Sequence, residues 1–193
     1  MITVCIYTHC CLYLQNTMGI FDIFKKKPNY DPTNIKVTDL NNGFVFDYDL
    51  VTWSVEETYE YDWGNNFFTK EHKITNGLDS FFLSVEYDDE IKLHITSKIN
   101  VRTLGNDIPE IIKETEEPPV EIIYERESYF LKSGNPGYIR NVNREDWDEL
   151  MSWEYTNKTE DRVICIEQYD DDEFEAAVGR IAKEFEISNI LPK

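Results

Sequence analysis

Apolar and polar residues alternate with a period of two through long parts of this chain. Val51, Trp53 and Val55 share one face of an extended segment, and Thr52 and Ser54 occupy the other face. Such alternation, with aromatic and β-branched residues on the apolar face, is typical of antiparallel strands that bury one side. The pattern therefore predicts a protein built mainly of β-strands.

Turn-forming residues separate these alternating segments. Trp63-Gly64-Asn65-Asn66 predicts one turn, and Asn76-Gly77 predicts a tight hairpin because both residues tolerate positive φ. Ser133–Gly137 predicts a further turn between strands. Residues 108–117 predict a short helix that two prolines end. Phe174 is predicted to open a last strand, followed by an irregular or helical tail.

One strand pattern occurs twice along the chain. Residues 71–95 align with residues 152–178, so that Thr75-Asn76 falls on Thr156-Asn157 and Glu86 falls on Glu167. Two extra residues in the second copy lie in its acidic turn. A repeated unit of strands and turns predicts an internal duplication.

The predicted fold is therefore mainly β, with two related antiparallel units packed as a sandwich or as small barrels. We assign residues 34–103 to the first unit, residues 104–120 to a connector and residues 121–193 to the second unit. Both units need to bury their apolar face. The residues predicted for the core are Trp53, Val55, Leu83, Val85, Ile91, Leu93, Trp153, Tyr155, Ile164 and Ile166.

The first 33 residues differ from the remainder. Residues 1–17 contain no charged side chain apart from His9, and we interpret them as translated upstream sequence that is not native, with Met18 as the natural start. Residues 18–33 form an apolar and basic segment that passes into a linker. An apolar turn next to lysines is typical of weak contact with a membrane surface. The residues predicted to make that contact are Ile20, Phe21, Ile23, Phe24, Lys25, Lys26 and Lys27.

Charge narrows the range of partners. The 193 residues include 19 basic and 38 acidic side chains, a formal net charge of −19. From Pro28 onward, 16 basic residues stand against 37 acidic ones, a net charge of −21. Such a body repels phosphate backbones, so we expect no nucleic acid and favour a protein partner that is basic or membrane-associated. Cys165 is the single cysteine after residue 17, which favours a reducing cytoplasm.

Few residues suggest chemistry. Glu86 and Glu167 occupy equivalent positions in the two copies, and a pair of carboxylates is able to act as acid and base. His72 is expected to face the core and His94 to face solvent. The aspartates around Asp88 and Asp171 lack the spacing of a calcium loop, and no phosphate-binding or nucleophile motif occurs. We therefore assign no catalytic, cofactor or metal-binding residues.

A series of short motifs resembles a known family. These are "TWSVEE" from Thr52, "FFLSVEYDDE" from Phe81, "SWEY" from Ser152, "ICIEQY" from Ile164, "EFEAAVG" from Glu173 and "ISNILP" near the end. Over residues 34–192 the chain resembles the bacterial domain-of-unknown-function family numbered 4178, although Tyr169 stands where a tryptophan is expected. The resemblance implies no catalytic residue. Its members are similar in being encoded near small membrane proteins, phage-shock-like proteins and polyamine-synthesis homologues, which implies a cytoplasmic accessory role at the membrane.

Three functions follow as hypotheses. The first is a non-enzymatic interaction or scaffold protein in the cytoplasm, acting as an accessory at the inner membrane surface. The alternative is a binder of a small cation such as a polyamine, for which a deep acidic pocket lined by aromatic residues would be the signature. The third is an enzyme that uses Glu86 and Glu167, which requires both carboxylates to reach one cleft.

Overall fold

The computed structural model describes residues 30–170 and 172–192. The regions predicted as an upstream extension (1–17) and as a membrane contact (Ile20–Lys27) lie outside the described residues. The strands of the first half are β1 (Val45–Tyr48), β2 (Val51–Asp62), β3 (Phe68–Thr75), β4 (Ser80–Tyr87) and β5 (Ile91–Ile99). The helix α1 (Ile108–Thr115) follows, and the remaining strands are β6 (Glu121–Tyr124), β7 (Glu127–Asn141), β8 (Asp148–Asn157), β9 (Arg162–Asp170), β10 (Glu173–Ala182) and β11 (Ser188–Leu191).

All eleven strands belong to one antiparallel sheet, in the order β11-β1-β2-β3-β4-β5-β10-β9-β8-β7-β6. An additional pairing joins β2 to β7 through four residue pairs, from Tyr59↔Asn141 to Asp62↔Tyr138. Eight strands, β2 to β5 and β7 to β10, are thereby closed into a ring at one end of β2 and β7. The prediction of a mainly β protein is confirmed, and the two halves share one continuous sheet.

Matching two-residue turns start each half of the sheet. Asp49 and Leu50 connect β1 to β2, and Glu125 and Arg126 connect β6 to β7, all four with φ between 49° and 71°. Positive φ at both central residues is the geometry of the tight hairpin turns that match strand twist. The turns predicted at 63–66 and at Asn76-Gly77 lie between strands as expected.

The apolar face of the ring points outward, and the chain covers it with its own segments. On the first half, Leu40 and Ile187 of the flanking segments pack against Trp53 and Leu83. On the second half, Ile108 and Ile112 of α1 and the residues beside it cover the strands around Trp153. Trp53 and Trp153 are 4% and 1% exposed, which confirms the predicted register. Nine of the ten predicted core residues are buried, and Ile91 is half-buried against the same cluster.

The turn predicted at Ser133–Gly137 is wrong, because these residues lie inside the long strand β7. Gly134 pairs with Trp153 of β8, and a Cβ atom at Gly134 would lie 2.8 Å from the indole Cδ1. Between its β6 and β2 pairings, β7 has a neighbour on one side only, so the missing N–H of Pro136 costs no ladder hydrogen bond. The glycines and proline therefore fit a strand to a bulky neighbour.

Glycine also permits the junction between the two halves. Gly179 of β10 pairs with Thr96 of β5, and a Cβ atom there would lie 2.0 Å from the carbonyl oxygen of Ile95. Only a residue without a side chain allows two backbones to approach so closely. The sheet therefore makes its sharp bend between β5 and β10 at this position.

Within the described residues, the longest helix is the eight-residue α1, and none is long and apolar enough to cross a membrane.

We predict that Gly179→Ala destabilises the fold strongly, because the new methyl group would meet backbone that cannot rotate away. The expected loss exceeds the roughly 1–3 kcal/mol typical of overpacked cores. Denaturant unfolding measures it. Gly105→Ala is the matched control, since its Cβ would meet only the Ile108 side chain at 3.0 Å. Equal stability of the two variants would contradict the close approach.

A second prediction concerns His72, which is fully buried and whose Nδ1 lies 2.9 Å from the Thr58 hydroxyl. The sequence correctly predicts a core position, but the Nε2 atom has no partner. Burial lowers the pKa of His72 to about 3. Because the unfolded chain takes up this proton near the ordinary value of 6.5, the free energy of unfolding falls as pH drops from 6.5 toward 3.

The slope from this one group is about 1.4 kcal/mol per pH unit. His72→Gln removes the titration, so its unfolding free energy should vary less with pH than that of the wild type between about pH 4 and 6.5. Thr58→Val keeps the histidine and should keep the slope. Parallel pH profiles for His72→Gln and the wild type would contradict the assignment.

Candidate binding cavity

The inside of the ring is polar and encloses a cavity of about 300 Å³. All eight strands of the ring contribute residues from the face opposite the core, and the loop at 63–67 supplies part of the rim. On β4, for example, Leu83 and Val85 point to the outer core while Ser84 and Glu86 line the cavity. Period-two alternation thus places the polar residues inside the ring.

Five glutamates and two lysines line the cavity: Glu71, Glu86, Glu154, Glu167, Glu175, Lys92 and Lys98. Each lysine is already engaged by one glutamate. The Lys92 Nζ lies 2.5 Å from Glu86, and Lys98 forms an ion pair with Glu175. Among the described residues, Glu71 and Glu167 have no basic partner, so the charge that remains in the cavity is negative.

Glu71 and Glu167 form a coupled pair of carboxyls linked to two tyrosines. The Tyr61 hydroxyl donates to Glu71 at 3.3 Å, and the Tyr169 hydroxyl donates to Glu167 at 2.6 Å. Burial raises the pKa of Glu71, and the charge of Glu167 raises it further. Burial also raises the pKa of Glu167, against the Tyr169 hydrogen bond. Although water enters the cavity and both side chains are only half-buried by area, protein surrounds them, and the pair resists full ionisation.

Aromatic side chains form one wall of the cavity in fixed positions. The rings of Tyr61 and Trp63 are stacked with centroids 5.4 Å apart. The Trp63 Nε1 donates to the Thr69 hydroxyl at 2.9 Å, and Gly137 leaves room for the indole, since a Cβ there would lie 2.6 Å from it. Phe82 lies beneath Lys98, whose Nζ is 5.0 Å from the ring centroid. The wall is therefore built before any ligand arrives.

A second group, His94, Glu154 and Cys165, lines another part of the same cavity. The His94 Nδ1 lies 3.6 Å from the Glu154 carboxylate, and the His94 side chain is 11% exposed. The expectation that His94 faces solvent is therefore wrong, because the polar face of β5 curls into the ring. Burial and the carboxylates around it raise the pKa of the Cys165 thiol well above its usual range. Such a thiol is a poor nucleophile.

Both sequence-predicted carboxylates, Glu86 and Glu167, line this one cavity. Glu86 is held by Lys92, whereas Glu167 is coupled to Glu71, which the sequence reasoning did not single out. Glu154 and Glu175 were also missed. The signal available in the sequence was the repeated run of charged residues on the polar faces of β3 to β5 and β8 to β10.

The family model described as "Domain of unknown function (DUF4178)" matches residues 41–184. The chain belongs to the DUF4178 family. An uncharacterized protein of Aquifex aeolicus (strain VF5) is 28% identical over 182 residues, which cover 94% of this chain and 99% of the relative. No solved structure matches the chain. The DUF4178 match extends over all eight strands of the ring and therefore over every residue of the cavity discussed above.

We predict that Glu71→Gln raises thermal stability increasingly as pH rises. A carboxyl whose folded pKa is raised favours folding fully below its unfolded value near 4.5, and that contribution is lost as pH rises through the folded pKa. The amide cannot ionise, so the variant avoids this loss. Melting temperatures at acidic and alkaline pH measure the difference, with the exposed Glu149→Gln as control. A pH-independent effect of Glu71→Gln would contradict the buried, raised carboxyl.

Proposed function

We propose that this protein is a non-enzymatic binder of a small organic cation, a linear amine with two or more ammonium groups such as a polyamine. The observation that carries the proposal is the pair Glu71 and Glu167, which lies inside a preformed cavity without a basic partner among the described residues. Buried carboxylates gain most from a ligand that supplies the missing positive charge.

The shape and composition of the cavity support a small molecule. A volume of about 300 Å³ is at the lower end of ligand sites in proteins. The aromatic wall offers apolar contact for methylene groups, and the two tyrosine hydroxyls and the carboxylates offer polar contacts. An aliphatic chain with charged ends matches both kinds of surface.

Charge selection follows from the lysines. Because Lys92 and Lys98 are occupied by Glu86 and Glu175, an anionic ligand would have to break an ion pair before gaining one. A cation needs no such exchange. It needs only that Glu71 and Glu167 lose the proton that burial makes them retain, so binding should release protons and tighten as pH rises.

Isothermal titration calorimetry with spermidine tests the proposal. Glu71→Gln with Glu167→Gln should weaken binding about tenfold or more, since a charge-assisted contact contributes about 1.5–3 kcal/mol. The matched control is Glu114→Gln with Glu149→Gln, which removes the same charge from exposed positions outside the cavity. A diol of similar length should not bind.

Equal weakening by the two double variants would attribute binding to the general acidity of the surface and would refute the cavity. So would comparable binding of the diol. Affinity that falls as pH rises from about 6 to 9 would contradict the role of the raised carboxyls.

We also propose that the two halves arose by internal duplication. The turns at 49–50 and 125–126 share positive φ at both residues, and the ladders that follow carry an irregularity after Val55 in β2 and after Leu131 in β7. Both features are offset by 76 residues. The Oδ1 atoms of Asn76 and Asn157 each accept two backbone N–H groups of the turn that follows.

The interaction or scaffold hypothesis stays a prediction, as does weak contact with the inner membrane surface, because Ile20–Lys27 lie outside the described residues. A cytoplasmic location is proposed with them, on the ground that Cys165 is the single cysteine of the body.

A further inference from the structure

Three different metal-ligand types converge in the cavity on a second set of residues. One ligand atom each of His94, Glu154 and Cys165 lies within 4.8 Å of the others. None of these residues carries the proposed amine site, which rests on Glu71 and Glu167. The inference that follows therefore goes beyond the proposed function and does not depend on it.

The sheet brings these three side chains together from distant parts of the sequence. Glu154 of β8 and Cys165 of β9 are directly paired neighbours on the inner face. His94 comes from β5, which is separated from β9 by the single strand β10. The inner residue of β10 beside Cys165 is Ala177, whose small side chain leaves the space open. Curvature and one small residue therefore let a histidine reach the Glu154–Cys165 pair.

The chemistry of the set selects a class of ion. A thiolate, an imidazole and a carboxylate together suit zinc and similar divalent transition metals, whereas calcium and magnesium prefer oxygen ligands alone. Zinc binds such atoms at about 2.0–2.3 Å, so the ligand atoms would stand roughly 3.6 Å apart in a tetrahedral site. The observed separations require a contraction of about 1 Å, which side-chain rotation supplies.

We propose that His94, Glu154 and Cys165 bind a zinc-like divalent metal ion inside the ring. Three protein ligands leave a fourth position that faces the cavity and accepts water or an atom of a bound molecule. Binding replaces the thiol proton, which leaves to solvent, by a sulfur–metal bond. The surrounding carboxylates favour any added positive charge at this position.

Two alternative readings of the triplet are weaker. A nucleophilic cysteine next to a histidine needs a thiolate, yet the neighbouring carboxylates disfavour negative charge on sulfur. A plain ion pair between His94 and Glu154 explains the 3.6 Å contact but gives no role to the Cys165 sulfur beside it. Metal ligation uses all three side chains.

Cobalt(II) is the probe, because thiolate-bound cobalt absorbs in the near ultraviolet and tetrahedral cobalt absorbs visibly. The full chain should develop both absorptions at one equivalent of cobalt and lose them when zinc is added. Cys165→Ser should abolish the thiolate band, and His94→Gln and Glu154→Gln should each weaken cobalt binding about tenfold or more, as loss of groups that only support metal ligands already does.

The controls separate this site from two others. The full chain also contains Cys5, Cys10 and Cys11, so a variant with serine at all three must keep the cobalt spectrum. Glu71→Gln with Glu167→Gln must also keep it, because that pair belongs to the proposed amine site. Circular dichroism and thermal melting establish that each variant is folded.

Absence of a thiolate band in the wild type would overturn the inference, and so would its persistence in Cys165→Ser. Loss of the band in the triple serine variant would place the metal at the N-terminal cysteines instead. A cobalt spectrum together with failure of spermidine binding would leave the metal site standing and refute the proposed function alone. The reverse result would refute only the metal site.

Discussion

The pairing of β2 with β7 is the constraint on which the cavity depends. It joins only four residue pairs, with Glu60 on β2 bound to Arg140 on β7 at 2.6 Å. Without it, the strands would form an open sheet with one polar face in water. With it, the polar face curls inward and charged side chains on opposite strands come to face one another. The same closure obliges the apolar face to point outward, where flanking segments must cover it.

An inward polar face changes the energetics of its charges. A glutamate on an open sheet is solvated and retains its ordinary pKa, but Glu71 and Glu167 compete for a confined volume with limited water. Two of the five cavity glutamates are stabilised by the lysines of β5. The unpaired glutamates are a local departure from what stability alone favours, and such departures concentrate at functional sites.

The sequence predicts the elements better than it predicts the site, for a physical reason. Alternation around Leu83 and Ile164 identifies which face of each strand is apolar, and both residues are fully buried. Alternation carries no information on the direction in which the sheet curls. His94 was therefore expected in solvent, and Glu71 was not noticed. Glu86 and Glu167 were found only because the repeat aligns them, and long-range strand pairing supplied their actual partners. Composition alone also misplaced a turn at Gly134, where the need to accommodate Trp153 decides.

Charge couples the two proposed sites. Cys165 and Glu167 are two residues apart on the inner face of β9, so an ion held by the thiolate would lie close to the carboxyl pair. Replacing one thiol proton by a divalent ion adds one positive charge to the cavity. That charge favours ionisation of Glu71 and Glu167, yet it also satisfies part of the negative field that would attract an amine. Metal and amine therefore compete through electrostatics although they share no ligand, unless the amine supplies the fourth metal ligand through an uncharged nitrogen. In that case the metal would fix the amine in the cavity, and the two sites would act as one.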